Sequence, residues 1–300
     1  MNKFSFLYLT TCYLLASIFT LNNNIDISHQ IIGSLFLITL FGIPHGAIDN
    51  VILKSEVKIS NLKFYTLYVS CIIIYIIAWF ISPIISFYIF LLISSYHFGE
   101  SQLANYKISN NNKKIVYLLW GISLMSTLFY YNEVELINLF SSFNDTEILN
   151  SLFYFNFFKI VFYVSNFLTL LSLLFLLFKN QIKASMFKSE LFQLFLLHIT
   201  FYLFPVIISF TLYFVFLHSL KVLSQEFNYL NILYKKLSVS KFIIMLTPHT
   251  LLSLAFLAVF IYLSQKNIVN ISILLLTIIG ISVITLPHSI VMTKFYEKFK

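Results

Sequence analysis

Charge is scarce in this chain. Charged residues make up only 10% of its 300 positions, hydrophobic residues make up 59%, and none of the 19 basic residues is an arginine. A soluble domain covers its surface with charged side chains, which typically form about a quarter of its sequence. The composition therefore excludes a soluble globular domain. The lack of arginine, which pairs well with phosphates and base edges, argues against nucleic acid as a partner.

Cysteine is almost as rare, with two residues in the whole chain. Cys12 and Cys71 both lie in apolar segments, so we expect neither a disulfide framework nor a thiolate metal site. The first apolar run, residues 4–21, is followed by no small-x-small cleavage pattern. We interpret it as an additional N-terminal membrane span rather than a signal peptide.

Long apolar runs recur along the whole sequence without period-2 alternation, which predicts membrane helices rather than a barrel. We predict an all-α, polytopic integral membrane helix bundle in which residues 1–300 form one transmembrane domain of about ten spans (8–10). Pro83 and Pro205 are interpreted as tight connections between consecutive helices. The predicted spans cover residues 4–21, 31–49, 64–82, 83–99, 115–131, 151–178, 190–204, 205–220, 242–263 and 270–291.

The lysines predict how these spans are oriented. If the N-terminus is cytoplasmic, the cytoplasmic loops contain every lysine except Lys159 and Lys266. The loop at residues 132–150, on the outer side, contains four acidic residues and no lysine. Because cytoplasmic loops are enriched in lysine, we predict that both termini are cytoplasmic and that the protein resides in the cell membrane.

Six of the seven histidines lie in or beside apolar segments, where an unpaired polar side chain is energetically unfavourable. His29 is expected in a short solvated loop, and His198 is interpreted as a histidine hydrogen-bonded to a neighbouring helix. The predicted topology places the other five at a similar depth near the cytoplasmic ends of five helices. These five are His45, His97, His218, His249 and His288.

Carboxylates accompany two of these histidines. Asp49 follows His45 by four residues and Glu100 follows His97 by three, so each pair can share a helical face. A carboxylate that accepts one ring N–H turns the other nitrogen towards a metal, which makes both acids candidate orienting residues. The alternative for each is an acid at headgroup level near a helix end. Imidazoles without thiolates suit iron, zinc or copper.

Four short motifs contain histidines at or beside the ends of apolar segments. They are Pro44-His45-Gly46-Ala47-Ile48-Asp49, Tyr96-His97-Phe98-Gly99-Glu100-Ser101, Phe216-Leu217-His218-Ser219 and Pro287-His288. In order and spacing these motifs resemble the Brp/Blh family of membrane β-carotene 15,15′-dioxygenases, and the resemblance extends from about residue 31 to the end of the chain. The resemblance implies an iron(II) enzyme that uses O2 to split the central double bond of β-carotene into all-trans-retinal. It also implies that His45, His97 and His218 are catalytic and bind the iron.

The third motif departs from the family pattern His-Ser-x-x-His. The chain has Val222 in place of the second histidine, and Lys221 precedes it. Because valine cannot bind a metal, we expect one of three outcomes. His288 or His249 supplies a substitute ligand, the site functions with three histidines, or activity is altered or lost. Gln102, at a position where an acidic residue often follows the second motif, is a further departure.

A polytopic transporter with intramembrane histidines and acids is the competing functional class. An ion path places ionisable groups at several depths, and many transporters contain inverted repeats. In this chain the ionisable groups collect at one end of the helices and no repeat is visible. A carotenoid, by contrast, is about as long as the hydrocarbon core, about 30 Å, and needs a long apolar tunnel. The sequence does not indicate which residues line that tunnel.

Overall fold

The computed structural model describes residues 3–21, 26–266 and 268–298. Helices account for 87% of these described residues, which contain no strand. Two π-helical segments cover Ile38–Gly42 and Tyr213–Ser219, and two 3-10 segments cover Ile43–Gly46 and Glu147–Asn156. The α-helices are α1 (Lys3–Leu21), α2 (Ile27–Leu37), α3 (Asp49–Glu56), α4 (Asn61–Ile81), α5 (Pro83–Leu103), α6 (Asn110–Tyr131), α7 (Glu133–Ser141), α8 (Phe157–Phe178), α9 (Ala184–Leu203), α10 (Val206–Leu212), α11 (Leu220–Leu233), α12 (Val239–Gln265) and α13 (Ile273–Lys298).

Within the described residues, seven helical stretches are long and apolar enough to cross a membrane, which confirms the predicted all-α chain with several membrane helices. α1, α5 and α9 correspond to the three other predicted spans; α1 is a shorter apolar helix, and the other two carry more polar side chains. The total of about ten spans stays a prediction. The seven are His29–Glu56, Asn61–Ile81, Asn112–Tyr131, Glu147–Phe178, Val206–Leu233, Val239–Gln265 and Ile273–Glu297.

One predicted span ends too early. The segment predicted to stop at residue 220 continues as a helix to Leu233. Lys221 was predicted in a cytoplasmic loop, but its ammonium donates hydrogen bonds to Gln102, and Glu226 further along the same helix is fully buried. The apolar pattern breaks after residue 220 because Lys221 is paired and Glu226 is enclosed inside the helix bundle. It does not break because the chain leaves the bundle.

The prolines separate helices where the sequence indicated. α4 ends at Ile81, Ser82 is extended, and Pro83 is the first residue of α5. Pro205 likewise precedes the first residue of α10. Proline suits these positions because its missing N–H has no intrahelical partner at a helix start. Pro248 and Pro287 instead lie inside α12 and α13.

α5 and α6 cross at very close range through two glycines. A Cβ atom on Gly99 would lie 1.8 Å from the carbonyl oxygen of Tyr117, and one on Gly121 would lie 1.7 Å from that of Ser95. Any side chain at either position would overlap a backbone atom of the other helix. The two glycines therefore let the helices approach to backbone contact. This crossing fixes the position of the α5 segment that carries His97.

Candidate metal centre

Irregular helical turns present two of the histidines in this site. His45 lies in the 3-10 segment that directly follows the π segment Ile38–Gly42, and His218 lies in the π segment Tyr213–Ser219. Such turns change the direction of the following side chains, and π segments are frequent at functional sites. His97 comes from α5, and His288 comes from α13, directly after Pro287.

Four imidazoles form a closed ring inside the bundle. The distances between neighbouring ring centroids are 4.8 Å for His45 and His288, 5.0 Å for His288 and His97, 4.9 Å for His97 and His218, and 5.2 Å for His218 and His45. Each is at most 8% exposed. Candidate ligand atoms of His45, His97 and His288 all lie within 4.8 Å of one another. Four segments that are distant in sequence therefore converge on one point.

Hydrogen bonds fix the tautomers of two of these rings. Nδ1 of His288 donates to Asp49, at 3.0 Å from Oδ1 and 3.1 Å from Oδ2. Nδ1 of His45 donates to the carbonyl oxygen of Gly42. Each ring therefore keeps the lone pair on Nε2, and the Nε2 of His288 is buried without a hydrogen-bond partner in the described part of the chain. This is the arrangement in which metal-binding histidines are held by a carboxylate or backbone carbonyl.

The His97 and His218 rings approach each other through their Nε2 atoms. Nε2 of His97 lies 3.2 Å from Nε2 of His218. Two nitrogens bound to one ion at about 2.1 Å lie about 3.0–3.4 Å apart, so this distance fits a shared metal. The unpartnered Nε2 of His288 fits the same interpretation, because a buried polar atom without a partner is unfavourable unless a ligand satisfies it. The donor set, four imidazoles with no thiolate, suits iron, zinc or copper.

In the described residues, neither candidate carboxylate has a hydrogen bond to the histidine that precedes it in sequence. Asp49 bonds to His288 from α13, and its Oδ2 also accepts from the Tyr68 hydroxyl at 3.0 Å. Glu100 accepts from Thr293 of α13 and, at 3.4 Å, from Tyr96 of its own helix. The orienting role of the two acids stays a prediction, and the geometry directs that of Asp49 to His288.

His288 joins the ring, and His249 does not. Nε2 of His249 lies 3.1 Å from the hydroxyl of Tyr65, on which its ring stacks. His249 is therefore tied to α4 rather than to the other histidines. Of the two substitutes that the sequence left open, the geometry favours His288.

The remaining two histidines lie away from the ring. Nδ1 of His198 is 3.2 Å from the Tyr131 hydroxyl, and its Nε2 is 3.2 Å from Oδ1 of Asn166. This confirms a histidine hydrogen-bonded to neighbouring helices. His29, expected in a loop, is in the first turn of α2, where its exposed side chain lines a groove.

Val222 and Lys221, which interrupt the family motif, both have structural partners. Val222 is fully buried in an apolar cluster that includes Ala47, Ile48 and Met292. The ammonium of Lys221 donates to Gln102 at 3.1 Å to the carbonyl oxygen and 3.0 Å to Oε1. Since these bonds occupy the lysine, it is not directed at the histidine ring as a ligand.

A buried polar network around Glu190 lies next to the site and was not predicted from the sequence. The Gln102 amide donates to the carboxylate of Glu190, at 2.9 Å and 3.1 Å to its two oxygens, and the Tyr106 hydroxyl donates to the same carboxylate. Glu190 is 1% exposed. Together with Lys221, these groups join α5, α9 and α11. Glu190, an acidic residue in the largely apolar helix α9, was the sequence feature that indicated such a network. Its partners could not be predicted because they are distant in sequence.

A family comparison covers the same segments as this site. The sequence model of the family described as Beta-carotene 15,15'-dioxygenase matches residues 36–296, which contain all four ring histidines and Asp49. The chain belongs to the β-carotene 15,15′-dioxygenase family. Membership in this dioxygenase family supports a carotene dioxygenase-like enzyme rather than a transporter, and it suggests a metal cofactor. No curated protein and no solved structure matches the chain.

Proposed function

We propose that this protein is an iron-dependent membrane enzyme. It uses O2 to cleave the central double bond of β-carotene, or of a related carotenoid, and releases all-trans-retinal. The observation that carries the proposal is the closed ring of four buried imidazoles. The dioxygenase family supplies the reaction class. A cleavage that adds both oxygen atoms of O2 across one double bond needs no external reductant, so a metal, O2 and an apolar substrate suffice.

His45, His97, His218 and His288 would hold the Fe²⁺. Bound iron would supply the binding and activation of O2. Asp49 would keep His288 in the correct tautomer through the Nδ1 hydrogen bond, and Gly42 would do the same for His45. The surrounding apolar residues would exclude water from the site.

His288 is the fourth ligand in this proposal, in place of the histidine that the motif lacks at Val222. Its ring lies between those of His45 and His97, at 4.8 Å and 5.0 Å. A site with four imidazoles favours retained activity over a homologue that has lost its chemistry. It also favours His288 over His249, whose ring nitrogen is engaged by Tyr65.

The membrane is part of the proposed mechanism. We propose that the protein resides in the plasma membrane and crosses it about ten times, with both termini in the cytoplasm. This orientation places the lysine-rich loops on the cytoplasmic side. The histidine ring then lies towards the cytoplasmic side of the bundle. A carotenoid dissolves in the hydrocarbon core and would reach the ring without crossing water.

Expression in a bacterial strain that accumulates β-carotene tests the proposal. Retinal is quantified by chromatography for the wild type beside a His97→Ala variant, and iron is measured in both purified proteins. We expect colour loss and retinal with the wild type, and neither with the variant. Persistent carotene in cells whose membranes contain the wild-type protein would contradict β-carotene cleavage. The iron content would then separate an enzyme with another substrate from a homologue without a metal.

A further inference from the structure

An apolar groove opens on one side of the bundle, between α1, α2 and α10. Leu15 and Phe19 of α1 form one wall, and Gly33 and Leu37 of α2 and Leu212 at the end of α10 complete it. Its volume is about 190 Å³. Sites that enclose a whole drug-sized ligand are larger, about 300–1,000 Å³, so this groove would hold one end of a long molecule.

Two walls of the groove lead directly to the histidine ring. α2 continues from Leu37 through the π segment Ile38–Gly42 to His45, and α10 continues from Leu212 through the π segment Tyr213–Ser219 to His218. Eight residues separate Leu37 from His45, which is about 12 Å along a helix. Two of the segments that build the histidine site therefore also build the groove.

One aromatic ring on the continuation of α10 packs on the imidazoles, two residues beyond the groove residue Leu212. The Phe214 ring stacks on His218 with centroids 5.6 Å apart and meets His45 edge-on at 5.5 Å. It also stacks on Phe210 at 5.5 Å. A Cβ on Gly42 would lie 2.8 Å from Cε1 of Phe214, so glycine leaves room for this ring. Phe214 is only half-buried, unlike the histidines behind it.

We propose that this groove is the route by which a carotenoid end group passes from the lipid to the histidine ring, with Phe214 as the gate. The inference rests on the proposed function and adds the access route, which the sequence leaves open. A polyene suits the groove because most of the exposed lining surface is apolar, although His29, Gln30, Ser34 and Thr211 also line it. Flat, conjugated chains also pack well against aromatic rings, such as Phe19 in the groove and Phe214 beside the imidazoles. A rotation of the Phe214 side chain would connect the groove to the ring.

Two glycines allow a matched test. Gly33 lines the groove, and Gly280 lies in α13 away from it; a Cβ on either would meet no described heavy atom within 4 Å. A Gly33→Phe substitution therefore fills the groove without a backbone clash, and Gly280→Phe is the control. Leu15→Trp, on the α1 wall, repeats the test should Gly33→Phe fail to fold.

The measurements separate binding from turnover. Purified full-length proteins in lipid nanodiscs receive β-carotene under argon, and the induced circular dichroism band of the polyene reports a carotenoid held in a chiral site. Aerobic kcat/KM and bound iron are measured in parallel. We expect the wild type and Gly280→Phe to give the band, whereas Gly33→Phe loses most of it. We also expect kcat/KM of Gly33→Phe to fall at least about tenfold at unchanged iron content.

A band and a kcat/KM in Gly33→Phe and Leu15→Trp within about twofold of the wild-type values would overturn the access route. A wild type without any band would also overturn it and would indicate that a lipid acyl chain occupies the groove. If the wild type cleaves no carotenoid, the proposed function fails, but loss of the band in Gly33→Phe still supports the groove as the binding route.

Discussion

At the scale of single residues, hydrogen bonds decide which ring nitrogen of His45 and of His288 is available to bind a metal. Asp49 and the Gly42 carbonyl hold the Nδ1 atoms of His288 and His45, and both Nε2 atoms keep their lone pairs. A second-sphere hydrogen bond of this kind raises ligand basicity and fixes the ring. A substitution at Asp49 should change metal binding before it changes folding, because the Asp49 side chain acts on the ring locally.

His288 and His249 form a matched pair for the identity of the fourth ligand. We expect His288→Ala to lose most of the bound iron, because it removes one imidazole from the ring, and His249→Ala to retain it. Iron per protein, measured on purified samples by mass spectrometry, distinguishes the two. Equal iron in the two variants would contradict a ligand role for His288.

A histidine restored at position 222 should compensate for the loss of His288. Val222 follows His218 by four residues, so an imidazole there shares its helical face. It is buried against Ala47 and Ile48, close in sequence to His45. We expect the double variant His288→Ala/Val222→His to recover at least about half of the wild-type iron content. Iron no higher than in His288→Ala alone would show that position 222 does not face the site.

Asp49 and Glu100 test the orienting hydrogen bond. Asp49→Asn keeps the size of the side chain but removes the charge that His288 faces, and we expect metal affinity to fall about 10- to 100-fold. Glu100→Gln should leave affinity close to that of the wild type, since Glu100 bonds to Thr293 and Tyr96 instead. Competition with a chelator measures both affinities. Similar losses in the two variants would refute a specific role for Asp49.

At the scale of elements, the close crossing of α5 and α6 supports the site. Backbone contact at Gly99 and Gly121 leaves no space for any side chain. Three residues before Gly99 along α5 lies Tyr96, and two residues before it lies His97. A shift of α5 by even the width of a methyl group would therefore move His97 away from His218, since core packing transmits such displacements.

Alanine substitutions at two glycines should have opposite effects on stability. Gly99→Ala places a methyl group on the Tyr117 carbonyl oxygen, and we expect destabilisation by about 2 kcal/mol or more. Gly280→Ala enters open space in α13, and we expect stabilisation by about 0.5–1 kcal/mol from better helix propensity. Thermal unfolding in detergent measures both. A Gly99→Ala protein as stable as the wild type would contradict the crossing.

At the scale of the whole molecule, helices differ in how much of their surface the bundle encloses. In the span of α6, 61% of the most apolar stretch is buried, against 11% for α12. α6 therefore lies at the centre of the bundle, and α12 presents most of its surface to lipid. The lysine-rich loops and the acidic residues 132–150 predict the direction in which this bundle crosses the membrane.

Cysteine labelling tests that direction. In a background without native cysteines (Cys12→Ala and Cys71→Ala), single substitutions are made at exposed positions, Asn144→Cys, Lys235→Cys and Lys266→Cys. We expect an impermeant maleimide to label the first and third in intact cells, and the second after permeabilisation, because the predicted topology puts Lys235 in the cytoplasm. Labelling of Lys235→Cys in intact cells would reverse the predicted orientation.

The sequence determined the class of protein and the type of residue at its centre. Its scarcity of charge and its apolar runs predict a membrane protein, and the absence of period-2 alternation favours helices over a barrel, since both satisfy the backbone hydrogen bonds in lipid. A histidine in an apolar segment is energetically unfavourable unless its ring is paired or binds a ligand, so the histidines in these segments indicated the site. These inferences need only the local pattern of the chain.

The tertiary structure decided how those residues pair. The spacing allowed Asp49 to share a face with His45, and it left open whether His288, His249 or no further histidine completes the site. Contacts between helices assign Asp49 to His288 and His249 to Tyr65. Spacing along one helix specifies which side chains share a face, but the helix that packs against that face is set by the whole bundle. Pairings across 239 residues, such as that of Asp49 with His288, could therefore not be read from the sequence.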